Sequence, residues 1–198
     1  ALEAFSEYAM WRDVFTAKGD ELISKYAEKQ EYDLLFDIIL SRPYRKDCRS
    51  NGLALYNLLW GMSMAQRDAL WTVKISTPSR RGEQLMDLAR WACEASASTL
   101  AAVDEQSAKA CLETLVWTLS STWRELRDRA THGIVHILVQ HKGLIFPLLK
   151  KYSLVNDPYI EERLWCAVYG ALLLLQDDVC TRSDRKSTRL NSSHSRAS

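Results

Sequence analysis

Two histidines four residues apart are the side chains of this sequence best spaced to hold a metal ion. His132 and His136 enclose the run HGIVH, and a spacing of four puts both imidazoles on one face of a helix. Zinc needs further ligands, and the intervening residues include no glutamate of the HExxH kind to act as a general base. His141 and Cys111 complete a site only if the fold brings them close. Half-buried or surface histidines are the favoured interpretation, so we predict no metal ligand.

No other segment carries a catalytic or nucleotide-binding signature. The sequence has no GxxxxGK loop followed by Ser or Thr, no GxGxxG after a strand, no GxSxG elbow and no catalytic cysteine motif. Charged runs at 127–129 and 161–163 would need a cleft and shifted pKa values to do chemistry. As structural features they are ordinary, because acids favour a helix N-terminus and Arg129 or Arg163 can pair with a neighbouring repeat. We expect no catalytic residue and no cofactor.

The composition is that of a globular protein with reduced cysteines. The five cysteines are dispersed without a CxxC pair, which favours buried thiols and a cytoplasmic location: Cys48, Cys93, Cys111, Cys166 and Cys180. The net charge of +1 gives no strong signal for nucleic acid. The apolar run 164–175 is too short to span a membrane. Since no signal or transit peptide follows Ala1, we expect a soluble piece of a longer protein.

A repeat at an offset of 34 residues predicts the elements that carry these side chains. Apolar or small residues and one arginine recur at equivalent positions in two stretches. The first set is Leu126, Arg129, Ala130, Gly133, Ile134, Ile137 and Leu138, and the second is Ile160, Arg163, Leu164, Ala167, Val168, Ala171 and Leu172. Each set forms one stripe of a helix, and such a recurrence indicates stacked helical units. We predict an all-α protein, an α-α superhelix of HEAT- or TPR-like antiparallel helix pairs.

Breaks in the helical pattern divide the chain into three parts. Residues 1–76 form an N-terminal helical segment of the array, with a polar loop at 42–51, and residues 83–176 form HEAT-like repeats. We predict that 181–198 is disordered, with the appearance of translated adaptor or vector sequence. Thr122 and Glu125 have capping-box spacing, and Asp157-Pro158 has the N-cap and N1 pairing. The tryptophans in helical patterns should fill gaps between helices: Trp60, Trp71, Trp91, Trp117 and Trp165.

Three segments together resemble one protein family. They are MAQRDALWTVKIS (64–76), LVWTLSSTWRELRDRATHGIVHIL (115–138) and VNDPYIEERLWCAVYGALL (155–173). Their order and spacing resemble the C-terminal helical-repeat region of bacterial antiviral STAND NTPases, the AVAST-type proteins and their NACHT-like relatives, over residues 60–176. The positions that match the family pattern are Arg67, Asp68, Trp117, Arg127, Asp128, Asp157, Pro158, Tyr159, Glu162 and Arg163.

The resemblance implies a sensor. In that family an effector and an ATPase precede a helical region that recognises phage proteins, and ligand capture drives oligomerisation of the full-length parent. Only the sensor role carries over, with the matched positions as framework residues at helix starts and inter-repeat contacts. We therefore expect a protein ligand and no catalysis. A HEAT-like adaptor without an attached ATPase predicts the same fold and stays open. Because a truncated array exposes an uncapped end, we also expect residues 1–180 to be marginally soluble in isolation.

Overall fold

A computed structural model describes residues 32–41 and 52–194, with side chains of the last helix described as far as Gln176. Every regular element in these ranges is helical, as predicted. The α-helices are α1 (Tyr32–Ser41), α2 (Gly52–Trp60), α3 (Met64–Arg67), α4 (Arg80–Glu94), α5 (Ala97–Ala102), α6 (Glu105–Thr118), α7 (Arg124–Gln140), α8 (Ile145–Tyr152) and α9 (Pro158–His194). Residues 1–31 of the predicted N-terminal helical segment and its polar loop at 42–51 lie outside the described residues. None of the described helices is long and apolar enough to cross a lipid bilayer.

Three helical turns continue or precede the short helices. A π-helical turn, Asp68–Thr72, and a 3-10 turn, Val73–Ile75, extend α3 without a break. Another 3-10 turn, Lys142–Leu144, leads into α8. The segment 64–75 is therefore helical throughout, with changing hydrogen-bond spacing.

Polar N-caps begin most of these helices. The Asp157 Oδ1 accepts a hydrogen bond from the Ile160 amide at 3.3 Å, which confirms the predicted cap before Pro158. The predicted capping box at Thr122 was wrong. Trp123 is the N-cap of α7 and its side chain makes no capping hydrogen bond, so Thr122 lies one residue too early for the box. Four other helices have a serine or aspartate side chain as cap: Ser63, Ser79, Ser96 and Asp104.

Helices α4 and α7 lie side by side and run in the same direction. Near their starts, a Cβ added to Gly82 would lie 3.2 Å from the Trp123 ring. Further along, the Cys93 thiol donates to the Arg129 carbonyl at 3.1 Å, and a Cβ on Gly133 would meet Ala92. Because early residues pair with early ones and late with late, the two axes are parallel.

Helix α9 lies against α7 in the same way. Near the helix starts, the Arg163 Nη1 donates to the Asp128 Oδ1 at 3.0 Å across 35 residues. In the middle, a Cβ on Gly170 would lie 3.3 Å from the Val135 Cγ2, again across 35 residues. The offset of these contacts agrees with the 34-residue repeat, so α4, α7 and α9 form a row of parallel helices.

A second group of helices packs around α6. A Cβ on Gly52, at the start of α2, would collide with the Ala110 carbonyl, and the Tyr56 ring lies 6.3 Å from the Trp117 ring, so α2 runs parallel to α6. Helix α8 joins through Tyr152, whose ring lies 5.7 Å from that of Trp117. All residues from 110 to 119 are buried. Since only residues 119–123 connect α6 to α7, these two helices form an antiparallel hairpin. The hairpin joins the helices around α6 to the row formed by α4, α7 and α9.

The predicted stripe forms much of the core. All its apolar members are buried except Leu172, which is 49% exposed, and both arginines lie at contacts between helices. The prediction for the tryptophans holds for only two. Trp71 and Trp117 are fully buried, and the Trp71 Nε1 donates to the Trp117 carbonyl at 3.0 Å. The other three are more than a third exposed, because they lie on the outer faces of their helices: Trp60, Trp91 and Trp165.

The final helix extends further than the sequence predicts. We expected it to end near residue 176, but α9 continues to His194. The segment 177–194 contains neither proline nor glycine. Once a helix is nucleated, each added residue gains one hydrogen bond, so a polar segment without breakers can extend it. The origin of residues 181–198 stays a prediction.

Candidate functional site

The histidines considered as metal ligands lie at contacts between helices or at the surface. His132 is exposed, the His136 Nδ1 lies 3.0 Å from the Cys93 carbonyl oxygen, and the His141 Nε2 lies 2.9 Å from the Leu100 carbonyl oxygen. Among the side chains that the structure describes, none of which lies beyond Gln176, no group of three or more His, Cys, Asp or Glu is arranged to hold a metal ion. These hydrogen bonds connect α7 to the ends of α4 and α5, so both histidines have a structural role there.

Arg67, one of the family-pattern positions, is buried and joins segments that are distant in sequence. It is 3% exposed. Its guanidinium donates to the Met62 carbonyl at 2.8 Å, and to both the carbonyl and the side chain of Asn156. The same group lies 5.4 Å from the centroid of the Trp117 ring, within cation–π distance. Burial lowers the pKa of Arg67, and the nearby Asp157 carboxylate opposes that effect. Arg67 thus connects the turn after α2 to the loop before α9.

Four more family-pattern positions meet where α9 begins against α7. The guanidinium groups of Arg127 and Arg163 each lie 5.6 Å from the Tyr159 ring centroid. Asp128 accepts a hydrogen bond from Arg163, as described above. Partial burial raises the pKa of Asp128, but hydrogen bonds from Arg163 and Arg124 outweigh it and the pKa lies below its usual range. The cluster fixes the position of one repeat helix on the next.

Apart from Trp117, the remaining matched positions lie at or near the start of α9, except Asp68, which directly follows α3. Asp157 is buried and caps α9, while Pro158 follows it as the first helical residue. Asp68 and Glu162 are exposed. Most matched positions therefore lie near helix starts or between helices, and the exposed ones are Asp68, Pro158, Tyr159 and Glu162.

A buried charged cluster between α6 and α8 was missed by sequence reasoning. Glu113 accepts hydrogen bonds from the Lys151 Nζ at 2.6 Å and from the Tyr152 hydroxyl at 2.7 Å. The Lys151 ammonium lies 3.3 Å from the Tyr56 ring centroid. Burial raises the pKa of Glu113 and lowers that of Lys151, while their mutual attraction opposes both changes. The available signal was the apolar run around Glu113, ACLETLVW, in which one carboxylate has apolar neighbours on every side.

The described chain also contains a groove large enough for side chains of a partner. It has a volume of about 630 Å³ and lies between α1, α4 and the start of α6. We call it the Trp91 groove, after the indole that is 37% exposed at its edge. Leu88 and Val103 line the apolar part, and Asp87 and Asp104 add two carboxylates. A partner segment with an apolar side chain next to a basic residue would match this lining.

The second accessible surface is the outer face of α9, formed by Glu162, Trp165, Tyr169, Leu172 and Leu173. Trp165 is 53% exposed and Tyr169 is 64% exposed. Contiguous exposed apolar side chains of this size mark interaction surfaces in soluble proteins. The repeat in the sequence predicted the buried stripe of α9, but it did not show that the opposite face is apolar too.

Searches of protein-family models, of curated proteins and of solved structures found no match to this chain.

Proposed function

We propose that this chain is a ligand-sensing helical-repeat segment of a bacterial antiviral STAND NTPase, acting in the cytoplasm and binding a protein partner without catalysis of its own. The observation that carries the proposal is the position of the matched residues. Arg127, Asp128, Tyr159 and Arg163 join successive helices of the α4–α7–α9 row, and Arg67 ties that row to Trp117. Residues in such places maintain an array and leave ligand choice to its surface.

The same contacts support an α-α superhelix of HEAT- or TPR-like pairs. Parallel helices in one row and an α6–α7 hairpin between the groups are what stacked antiparallel pairs produce. Because each unit contacts mainly its neighbours, a ligand that changes one contact can bend the whole array by small rotations. In the full-length parent, such bending would promote the oligomerisation that the family resemblance implies.

The Trp91 groove is the surface that we assign to the protein ligand. A partly exposed indole offers a large apolar contact area at low entropic cost, and aromatic side chains dominate binding energy at interfaces. The Asp87 carboxylate, which is 73% exposed and pairs with Arg90 of the same helix at 3.1 Å, can exchange that pairing for a basic side chain on the ligand. A phage protein that inserts an apolar residue beside a lysine or arginine matches this chemistry.

The first test of the proposal is the reading frame that contains the sequence. We expect it to encode, upstream, a phosphate loop of the GxxxxGK type followed by Ser or Thr. A complete frame without an ATPase would contradict the STAND assignment and leave the second candidate, a HEAT-like adaptor or scaffold. The fold favours both candidates equally, because none of the contacts described needs an attached ATPase.

A phage challenge then tests the sensor role of the groove. Cells expressing the full-length parent should resist a phage that the system recognises, and Asp87→Lys or Trp91→Asp should abolish that resistance. The matched control is Phe146→Asp, because Phe146 is 73% exposed and lies on α8, away from the groove. Full resistance in both groove variants would show that the ligand binds elsewhere.

A further inference from the structure

Acidic residues recur at intervals of 34 along the α4–α7–α9 row. They are Glu94 at the end of α4, Asp128 in α7 and Glu162 in α9. The Glu94 carboxylate lies 3.6 Å from Arg129 of the next helix, and the Asp128 carboxylate lies 3.0 Å from Arg163 of the helix after that. In both pairs the arginine follows its acid by 35 residues. The two ion pairs share this spacing, but Glu94 ends α4 whereas Asp128 lies near the start of α7, so only the α7–α9 pair gives the position that Glu162 repeats in α9.

Glu162 is the third acid of this series. It is exposed, and it makes no ion pair with any side chain that the structure describes. The residue 35 positions after Glu162 is Ala197, so an arginine equivalent to Arg163 would have to come from another helix lying on the outer face of α9.

The apolar residues of that face have the same relation to α7. Val135 contacts Gly170 at the centre of the α7–α9 interface, and the residue 34 positions after Val135 is Tyr169. The buried stripes of α7 and α9 also correspond at this offset, so both helices have the same rotation about their axes. The outer face of α9 is thus equivalent to the face of α7 that α9 covers. On α7 this face is packed, whereas on α9 it exposes Trp165, Tyr169, Leu172 and Leu173.

We propose that the outer face of α9 binds a further helix of the same repeat pattern, parallel to α9, from outside the described residues. The partner helix carries an arginine that pairs with Glu162 and, seven residues later, a glycine or alanine that faces Tyr169, as Arg163 and Gly170 do towards α7. Its apolar stripe packs on the aromatic and leucine side chains of the face. This contact rests on the helical-repeat part of the proposed function and needs neither the ATPase nor a ligand in the Trp91 groove.

A peptide that copies α9 tests the contact directly. It has the sequence of residues 158–176 with four substitutions that make its own outer face polar: Trp165→Glu, Tyr169→Lys, Leu172→Gln and Leu173→Lys. A lactam bridge between the carboxylate introduced at position 165 and the amine introduced at position 169 keeps it helical. Fluorescence anisotropy of the labelled peptide, titrated with the 198-residue chain, should show saturable binding.

Variants of the chain then identify the surface that is bound. Tyr169→Asp should weaken binding at least tenfold, whereas Phe146→Asp should leave it unchanged. Glu162→Arg should also weaken binding at least tenfold, and Arg163→Glu in the peptide should restore it by reversing both charges. Glu105→Arg is the matched control, because Glu105 is another exposed acid in the first turn of a helix. Circular dichroism checks that each variant is folded.

Three outcomes would overturn the proposal. One is the absence of binding by the helical peptide, and another is binding that Tyr169→Asp and Glu162→Arg leave unchanged. The third is a dimer in sedimentation experiments that Tyr169→Asp dissociates and the peptide does not, since the face would then belong to a second copy of the chain. None of these results bears on the reading-frame and phage tests, so failure of the two proposals can be told apart.

Discussion

Gly133 determines how closely α7 approaches α4, and we predict that Gly133→Ala destabilises the fold. The added Cβ would lie 2.8 Å from the Ala92 Cβ and 3.5 Å from the Leu115 Cδ1. Carbon atoms in contact prefer a separation of about 3.5–4.0 Å, so the two helices must move apart. Overpacking of this kind costs about 1–3 kcal/mol, and alanine recovers about 1 kcal/mol through its higher helix propensity. The free energy of unfolding should therefore fall by about 1 kcal/mol.

A second substitution separates the steric effect from helix propensity. Ala92→Gly removes the methyl group that the new Cβ meets, at a cost of about 2 kcal/mol on its own from lost propensity and lost burial. In the Gly133→Ala background it also relieves the collision. The double variant should therefore be more stable than the sum of the single changes predicts, by about 1–3 kcal/mol.

Urea unfolding followed by circular dichroism measures all three variants. Gly143→Ala is the control, because a Cβ at Gly143 would have no neighbour within 4 Å, and its stability should match or slightly exceed that of the original chain. Strict additivity of Ala92→Gly and Gly133→Ala would refute the reasoning, since it would show that the two methyl positions do not compete for the same space.

Three further predictions concern the buried titratable groups. Burial raises the pKa of Glu113, and Lys151 opposes this only in part. The protonated carboxyl therefore contributes its full stabilisation below the pKa that Glu113 has in the unfolded chain, and this stabilisation is lost as the pH rises through the higher pKa of the folded state. Urea titrations from about pH 3 upward should show the original chain losing stability relative to Glu113→Gln, and the opposite slope would contradict the burial effect. Tyr152→Phe removes the hydroxyl that donates to Glu113 and should lower the unfolding free energy by about 2 kcal/mol, as measured by urea unfolding; no loss would show that the hydrogen bond does not stabilise the fold. Burial raises the pKa of Cys111 to about 12, whereas Cys166 is exposed. Iodoacetamide at about pH 8 should therefore alkylate Cys166 in the native protein and Cys111 only after unfolding, and peptide mass mapping that found both labelled at equal rates would contradict this burial.

Local sequence signals predicted those features that depend on near neighbours. The N-cap at Asp157 and the start of α9 follow from an Asp-Pro pair whose hydrogen bond closes within three residues. The pairing of Arg129 and Arg163 with neighbouring repeats also followed from the sequence, because the repeat gives both arginines equivalent surroundings. The capping box at Thr122 does not form because two serines hold this connection in another geometry. The Ser76 hydroxyl accepts a hydrogen bond from the Thr122 amide, and the Ser121 hydroxyl donates to the Ile75 carbonyl, 46 residues earlier.

The exposed faces could not be predicted in the same way. A helical pattern shows which residues share a stripe, but it does not show which stripes a neighbouring helix covers. Trp117 and Trp165 lie in similar apolar patterns, yet one is fully buried beneath α2 and α8 and the other is half exposed. The buried Glu113 was missed for the same reason, because its partners on α8 come from 38 and 39 residues later in the chain.

The sequence by itself determined the helical class, the helix starts and the 34-residue spacing, because caps and periodicity act over a few residues along one chain. Only the tertiary structure decided that residues 110–118 of α6 are buried on all sides, that acids at one interval meet arginines of the next helix, and that the described helices leave the outer face of α9 exposed. Those properties depend on which helices lie side by side, and burial and charge pairing between distant segments arise only when the chain brings them together.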